Sequence, residues 1–375
     1  MKWVFFLLGF FVFEDSFSQD LNTKSRFVLE AHELRHDSVF GRGLQFTTFG
    51  QDRGRFEEEV RGKIGPVSLL LTGIGAVQER QSPNTRIVSN EVYTDFALDK
   101  NHFTIGKKIL SGDVGYGFRP IDVIQREQRL QVLPPALVGV PVLAWERFTA
   151  DEAWSILYTN PGHRQRSDPK ADGALAARYY TRVGKTDVHA VARASDRYGY
   201  EAGGAFSSVP HESTELHASF LSIHKLENGK SASKALAGFT WTFENGFSLL
   251  GEAWWDGTAP TAQDWKNLNT RAKFLQNNPQ ALAGLTRMFS VPGYARSNAL
   301  ARIAWTDPAG SGWSASFDFL RTLEDRGYAA TAAVGYEADR LRLDAGVRRF
   351  GGKPDAAYRL LPERSVLFAG VSLAF

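Results

Sequence analysis

The carboxy-terminal residues of this chain alternate in polarity with a period of two. From Leu367 to Phe375 every second residue is apolar, and the positions between them include Gly370, Ser372 and Ala374. Such a period indicates a β-strand, because successive side chains of a strand point to opposite faces of its sheet. The chain therefore ends in a strand with one strongly apolar face. That face could be buried in a soluble sandwich or could face lipid.

The amino terminus has the composition of a secretory signal peptide. Lys2 precedes an unbroken apolar run, WVFFLLGFFVF, and Ser16 and Ser18 are small residues where a signal peptidase requires them. We predict cleavage after Ser18, so that residues 1–18 are removed and residues 19–375 form one domain. No later stretch has the roughly 20 apolar residues of a membrane helix. An exported chain of this kind can be an integral membrane protein only as a closed β-barrel.

Alternation along the rest of the chain predicts about eighteen strands, with sixteen as the main alternative. In residues 234–244 Phe239 and Trp241 share one face, and the Asn245-Gly246 pair that follows is a strong hairpin signal. Links after even-numbered strands are short. Every long link follows an odd-numbered strand: 35–54, 111–140, 160–172, 257–294 and 350–363. This asymmetry predicts an all-β fold, a transmembrane antiparallel β-barrel with both termini on the periplasmic side.

Composition agrees with a barrel and excludes some chemistry. The chain has no cysteine, so it has neither disulfides nor thiol ligands. Aromatic residues make up 13% of the chain, enough for the two aromatic girdles of a membrane barrel. The aromatic residues predicted to face lipid are Trp241, Phe243, Phe247, Trp255, Trp305, Trp313, Phe319 and Tyr336. The mean hydropathy of −0.27 is that of a soluble protein. A membrane barrel can have the same value, because apolar residues that face lipid alternate with polar residues that face the lumen.

The terminal aromatic strand and the hairpin asymmetry resemble those of bacterial outer-membrane porins and porin-like channels of Gram-negative bacteria. The resemblance covers the whole mature chain and rests on architecture rather than on a motif. It implies an outer-membrane channel for passive diffusion of small hydrophilic solutes. It also implies that Phe375 is the assembly signal read by the barrel-assembly machinery. Outer-membrane lipid and lipopolysaccharide are further expected partners, a homo-oligomer is left open, and no nucleic acid or cofactor is expected.

The longest internal link, residues 111–140, is the first candidate for function, because porins send the corresponding loop into the lumen as a constriction. Its apolar residues need something to pack on. They include Ile121, Val123, Ile124, Leu130, Val132 and Leu133. Its polar side chains would then line the constriction: Arg119, Asp122, Arg126, Glu127 and Arg129. The alternative is an extracellular flap with its own small core.

The inner wall is the second candidate. With the apolar faces outward, the side chains predicted to face the lumen are Lys108, Arg178, Arg182, His189, Arg193, Arg197, Arg296, Arg302, Arg340, Arg342 and Arg348. The inward acids of the same strands are fewer: Glu91, Asp95, Glu201, Glu252, Asp318 and Asp344. A basic lumen concentrates anions, and arginine suits carboxylate and phosphate groups. Alternatively, the arginines and acids pair with each other and leave no preference.

Residues 257–294 form the second long link. Thr261 and Asp264 predict a helix N-cap, and Trp265, Leu268, Ala272 and Leu275 mark one helical face. Pro279 ends this helix. Such a helix could cover the pore or contact lipopolysaccharide, but folding onto the rim of its own barrel is the simpler expectation.

Catalysis is the less favoured class of function. The histidines show no metal-ligand spacing such as HExxH, and the chain has no GxSxG elbow, so we assign neither catalytic nor metal-binding residues. A serine–histidine pair assembled across strands stays open, as in a barrel-embedded lipase or acyltransferase. Within transport, the second hypothesis is a selective channel or exporter for an acidic solute or polymer.

The terminal strand yields a first prediction. Deletion of Phe375 should reduce the amount of folded barrel in the outer membrane while export across the inner membrane continues, because only the assembly signal is lost. Heat-modifiable electrophoretic mobility of outer-membrane fractions measures the folded barrel, and the periplasmic pool measures export. An unchanged yield of folded barrel would contradict the assigned role of Phe375.

Overall fold

The computed structural model describes residues 21–41, 49–127, 129–161, 172–224 and 229–375. Within them, 18 antiparallel strands form one closed sheet in which each strand pairs with its sequence neighbours. The predicted all-β barrel of 18 strands is confirmed, and the alternative of 16 strands is wrong. The predicted signal peptide, residues 1–18, lies outside the described residues.

The strands, numbered in chain order, are β1 Asn22–Leu34, β2 Arg53–Ile64, β3 Val67–Gln78, β4 Asn84–Leu98, β5 Asn101–Lys108, β6 Val140–Phe148, β7 Glu152–Thr159, β8 Ala174–Val183, β9 Thr186–Ser195, β10 Gly199–His211, β11 Thr214–His224, β12 Ala232–Thr242, β13 Phe247–Asp256, β14 Ser297–Thr306, β15 Trp313–Thr322, β16 Tyr328–Glu337, β17 Leu341–Gly351 and β18 Glu363–Ala374. The helices are α1 Ala262–Phe274, α2 Pro279–Leu285 and α3 Ala357–Leu360, with a 3-10 helix at Thr286–Ser290.

Pairing of the first and last strands closes the barrel. Their register runs from Lys24 opposite Ala374 to Leu34 opposite Glu363. Beyond it, the Thr23 amide N–H donates to the Phe375 carbonyl at 3.2 Å, and the Phe375 amide N–H donates to Thr23 at 2.9 Å. Every strand is therefore hydrogen-bonded on both sides, as a bilayer demands of a spanning sheet.

The links have the predicted asymmetry. Those after even-numbered strands are tight turns, of which 307–312 is the longest, whereas those after odd-numbered strands include 35–52, 109–139, 160–173, 257–296 and 352–362. The amino-terminal end of β1 and the carboxy-terminal end of β18 both lie on the side of the tight turns. We refer below to the short-link side and the long-link side of the barrel.

The register places the predicted aromatic residues on the outer face. Trp313 and Tyr336 are cross-strand neighbours with ring centroids 5.1 Å apart, and Phe247 faces Trp305 in the same way. Trp241 is 47% exposed and Trp313 48%. The remaining members of the predicted set, all at outward positions of the alternation, are Phe243, Trp255 and Phe319. Large exposed apolar side chains of this kind are suited to lipid.

The long link 257–296 packs against the inside of the barrel rather than only its rim. Helix α1 starts with a capping box, in which the Thr261 side chain accepts from the Asp264 N–H and the Asp264 side chain accepts from the Thr261 N–H. Its buried Trp265 shares one apolar cluster with Trp254 and Leu300, which point inward from β13 and β14. Helix α1 ends at Phe274, with Leu275 as its C-cap, so Pro279 is the first residue of α2 and not the residue that ends α1. None of the helices in the described part of the chain is long and apolar enough to span a membrane.

The faces of β15 yield a second prediction. Phe317 points outward near the middle of the strand and is 47% exposed, whereas Ser316 points inward. Phe317→Arg should lower the free energy of unfolding in lipid vesicles by about 2–4 kcal/mol, because it places a charge in hydrocarbon. Ser316→Arg is the matched control and should cost far less. Denaturant titration measures both, and equal losses would contradict the assignment of faces.

Candidate functional site

The 111–140 segment, which links β5 to β6, packs its apolar side chains on the inner wall. Ile121 and Val123 are buried in a cluster with Val191, Leu221 and Ile223. These three wall residues point inward from β9 and β11. Ile121 and Val123 thus find their partners on the barrel, and burial of each of these side chains contributes about 1.5–3 kcal/mol.

A buried carboxylate on β13 holds the turn of the segment around Tyr116. Glu252 accepts the backbone N–H of Tyr116 at 2.6 Å and that of Gly117 at 2.7 Å. His217 on β11 lies 3.0 Å from the same carboxylate. The Glu252 side chain is 0% exposed, so these bonds form where water does not compete. We call this group the Glu252 anchor.

Two glycines make room for the Glu252 anchor. A Cβ on Gly238 would lie 2.4 Å from His217 Nε2 and 2.7 Å from Glu252 Cγ. A Cβ on Gly117 would lie 2.9 Å from Leu300 Cδ2 and 3.2 Å from Glu252 Oε2. Any larger residue at either position would push the carboxylate or the segment out of place.

A charge network fixes the next part of the segment to β9 and β10. Arg126 and Arg193 hold the two oxygens of Glu201, at 2.5 Å and 2.6 Å. Arg193 also reaches Asp172 at 2.6 Å. The Arg126 guanidinium stacks on the Tyr198 ring, with 3.9 Å to the ring centroid. Glu201 is fully buried, and its two arginines supply the compensation that a buried charge requires.

The carboxy-terminal half of the segment presents backbone carbonyls to arginines of the wall. Arg55 donates to Leu133 O and Arg26 to Pro134 O, both at 2.7 Å. Arg348 on β17 donates to Leu130 O. The segment therefore contacts inward side chains on strands distributed around the whole barrel, from β1 and β2 to β17.

The other charged residues of the segment bond within it. Arg119 lies 3.4 Å from Asp122 and 3.6 Å from Glu127, and Arg129 lies 3.3 Å from Glu127. Burial raises the pKa of the Asp113 carboxyl to about 6, although the N–H groups of Ile121 and Val114 act to lower it. Burial likewise raises the pKa of Asp122, against the Gly112 N–H and Arg119.

Four of the nine predicted wall arginines are paired with acids, namely Arg193, as described above, and three others. Arg302 binds Asp318 at 2.8 Å, Arg182 binds Asp187 at 3.0 Å and Arg342 binds Asp344 at 3.0 Å. Strands β14 and β17 begin at Ser297 and Leu341, so Arg296 and Arg340 lie in the preceding links rather than in the wall. Arg197 also lies in a link, before β10.

Arg178 and Arg348 are the exceptions among the six predicted arginines that lie in strands. Neither forms an ion pair with a carboxylate of the described residues. Arg348 bonds to the Thr331 hydroxyl at 2.8 Å and to Leu130 O, both neutral groups. Arg178 points inward from β8 towards Gly112, where a Cβ would lie 3.6 Å from Nη1, and its buried Nη2 has no hydrogen-bond partner in the described chain.

Sequence reasoning missed several residues that hold the segment. Arg26, Arg55 and Glu57 were not singled out, although each alternates with the apolar Phe27 or Phe56 and so falls on the inward face. The alternation of polar and apolar residues therefore predicts that these three side chains face inward. It does not predict their contacts, because the residues they contact are about a hundred residues away in the sequence or lie on different strands.

Comparisons with known proteins agree with the architecture. No family model matches the sequence, and no curated protein matches it. Among solved structures, Pseudomonas aeruginosa OccK3 (OpdO) superposes with a TM-score of 0.58 at 8% identity, over 95% of each chain. Acinetobacter baumannii OccAB3 gives 0.58 at 7% identity, over 95% of this chain and 98% of the other.

A third similar structure is that of Pseudomonas aeruginosa OpdK with vanillate. It gives a TM-score of 0.57 at 10% identity, over 96% of this chain and all of the other. At such identities the similarity establishes the fold alone. The protein has the closed 18-strand barrel of porin-like outer-membrane channels.

The Glu252 anchor yields a third prediction. Glu252→Ala leaves two buried N–H groups without an acceptor, at a cost of about 1–3 kcal/mol each, so the turn around Tyr116 should open more often. Chymotrypsin should then cut after Phe118 about tenfold faster than in the wild type. Glu337→Ala is the matched control, because this carboxylate is 70% exposed and far from the segment. Equal cleavage rates in all three proteins would contradict the anchor.

Proposed function

We propose that this protein is an outer-membrane channel through which small hydrophilic solutes diffuse passively. The observation that carries the proposal is the closed 18-strand sheet with aromatic residues outside and charged residues inside. Barrels of this size are too wide for side chains alone to fill, so they leave an aqueous lumen. In this orientation the long links face the cell exterior and both termini face the periplasm, with lipopolysaccharide and the assembly machinery as partners.

The 111–140 segment forms the constriction of this channel. Support comes from its contacts: Glu252 on β13, Glu201 on β10, Arg348 on β17, and Arg26 and Arg55 on β1 and β2. A segment tied to several sides of the wall narrows the path more than one folded back on a single side. Its charges would act where water is scarce and screening is weak.

A modest preference for anions follows from the two arginines without acidic partners. An arginine paired with an acid contributes little net electrostatic potential. Arg178 and Arg348 therefore carry most of the excess positive charge of the inner wall. OpdK, with a similar fold, was solved with vanillate, which is a carboxylate. We therefore propose small carboxylates as the class of solute to test first with this protein.

The other hypotheses have less support. A wide acidic polymer would have to displace a segment that is bonded to several strands. An envelope hydrolase would need a histidine bonded to both a serine and an acid. The histidine–serine hydrogen bonds in the described part of the chain, His211 with Ser213 and His224 with Ser231, join exposed side chains at strand ends, and neither histidine forms an ion pair there.

Current measurements in planar bilayers test the channel and its selectivity. The wild type should give stable open-pore currents, and in a salt gradient its reversal potential should indicate a preference for chloride. Replacing Arg178 and Arg348 together by Gln should move the reversal potential towards cation selectivity, because it removes the unpaired positive charge.

Arg340→Gln is the control for this fourth prediction, because Arg340 is exposed in a link and screened by bulk solvent. Its reversal potential should equal that of the wild type. An unchanged potential in the double variant would overturn the anion preference, whereas absence of any stable current in the wild type would overturn the channel itself.

A further inference from the structure

Two arginines lie on the outer face of the barrel at its long-link side. Arg321 is near the end of β15, and its cross-strand neighbours are Ala299 and Tyr328. Arg349 is near the end of β17, between Ala330 and Ser365. Both positions continue the outward alternation of their strands, and both side chains are exposed.

A flat aromatic surface separates the two arginines. The Tyr328 ring lies across Gly351, where a Cβ would come within 2.5 Å of Tyr328 Cζ. Phe319 stacks on this ring, with centroids 5.7 Å apart and an interplanar angle of 27°. From the strand spacing and the register, the Cα atoms of Arg321 and Arg349 are about 12 Å apart. We call Arg321, Tyr328, Gly351 and Arg349 the arginine patch.

Neither guanidinium of the arginine patch forms a close ion pair. Within the described residues no side-chain hydrogen bond or ion pair joins Arg321 or Arg349 to another group. The outward acid Glu33 attracts Arg349 electrostatically, but its carboxylate accepts from the Ser365 hydroxyl at 2.5 Å and lies 3.4 Å from Arg364. The patch therefore presents two guanidinium groups beside lipid whose hydrogen-bond donors are not used by the protein.

The depth of the patch matches a lipid headgroup. Trp313 marks the short-link girdle on the same outward row of β15 as Arg321. The two residues are about 27 Å apart along the strand, or about 20 Å along the membrane normal at a tilt of about 40°. The apolar band of such barrels is about 25 Å tall, so arginine side chains at this level reach the phosphates at its boundary.

We propose that the arginine patch binds the phosphorylated sugar headgroup of lipopolysaccharide in the outer leaflet. Guanidinium groups bind phosphate in bidentate fashion, and two arginines whose Cα atoms are about 12 Å apart can hold two phosphates of one headgroup. The flat Tyr328 surface lies beneath the sugar. This assignment rests on the proposed orientation, in which the long links face the cell exterior.

The test compares lipopolysaccharide binding by purified, refolded barrels in detergent. Fluorescently labelled lipopolysaccharide is titrated into the wild type, the double variant R321Q/R349Q and the control R147Q. Arg147 is also an exposed outward arginine, but it lies at the short-link end of β6 beside Trp154. The double variant should bind at least about tenfold more weakly than the wild type and R147Q. Dephosphorylated lipopolysaccharide should bind the wild type as weakly as intact lipopolysaccharide binds the double variant.

Several outcomes would overturn the proposal. Equal lipopolysaccharide affinity of the double variant and the wild type would show that the arginine patch is not the binding site. Competition by phosphatidylglycerol as strong as that by unlabelled lipopolysaccharide would show that the patch binds phospholipid instead. Loss of binding in R147Q alone would show that the orientation is reversed. Heat-modifiable mobility confirms that each variant is folded. Channel currents of R321Q/R349Q should equal those of the wild type, so failure of the patch and failure of the channel are told apart.

Discussion

Backbone hydrogen bonds between β1 and β18 close the barrel, and the other features of the molecule depend on that closure. In lipid an unpaired strand edge leaves N–H and C=O groups without partners, so an open sheet of this sequence could not be stable there. Closure also fixes the faces, because the register of β1 with β18 must agree with the alternation of all the strands between them. The outward aromatics, the charged inner wall and the enclosed segment all follow from it.

The inside of the barrel is organised by the cost of burying charge. Glu201 and Glu252 are completely buried, and each is surrounded by donors: two arginines for Glu201, two backbone N–H groups and His217 for Glu252. Removing a buried carboxylate from water is tolerable only with such compensation. The 111–140 segment supplies part of it, so the segment and the wall stabilise each other. The glycine at 238 is required because the His217–Glu252 pair occupies the space of its side chain.

The barrel was predictable because its rule is local. Alternation of residues such as Phe239 and Thr240 reports the face directly, and Asn245-Gly246 reports the turn, so the faces and the approximate number of strands could be inferred without a partner strand in view. Within the candidate site the same rule placed Arg178, Arg302 and Glu252 on the inward face. It failed at strand ends, where Arg296 and Arg340 fall in links, because a period of two does not show where pairing stops. It also could not show which inward charges meet, and four of the six predicted arginines that lie in strands are paired with acids.

By itself the sequence determined the class of fold, the faces and the side of the barrel that carries the long links, and it narrowed the number of strands to eighteen or sixteen. These depend on period and turn chemistry, which are properties of neighbouring residues. Only the tertiary structure decided which charges remain free. The pairing of Arg302 with Asp318, the lack of a close ion pair at Arg178, the Glu252 anchor and the arginine patch are set by distances between separate strands. Coulomb energy and hydrogen bonding depend on those distances and on burial. The spacing of residues along the chain gives neither the distances between strands nor the burial of a side chain.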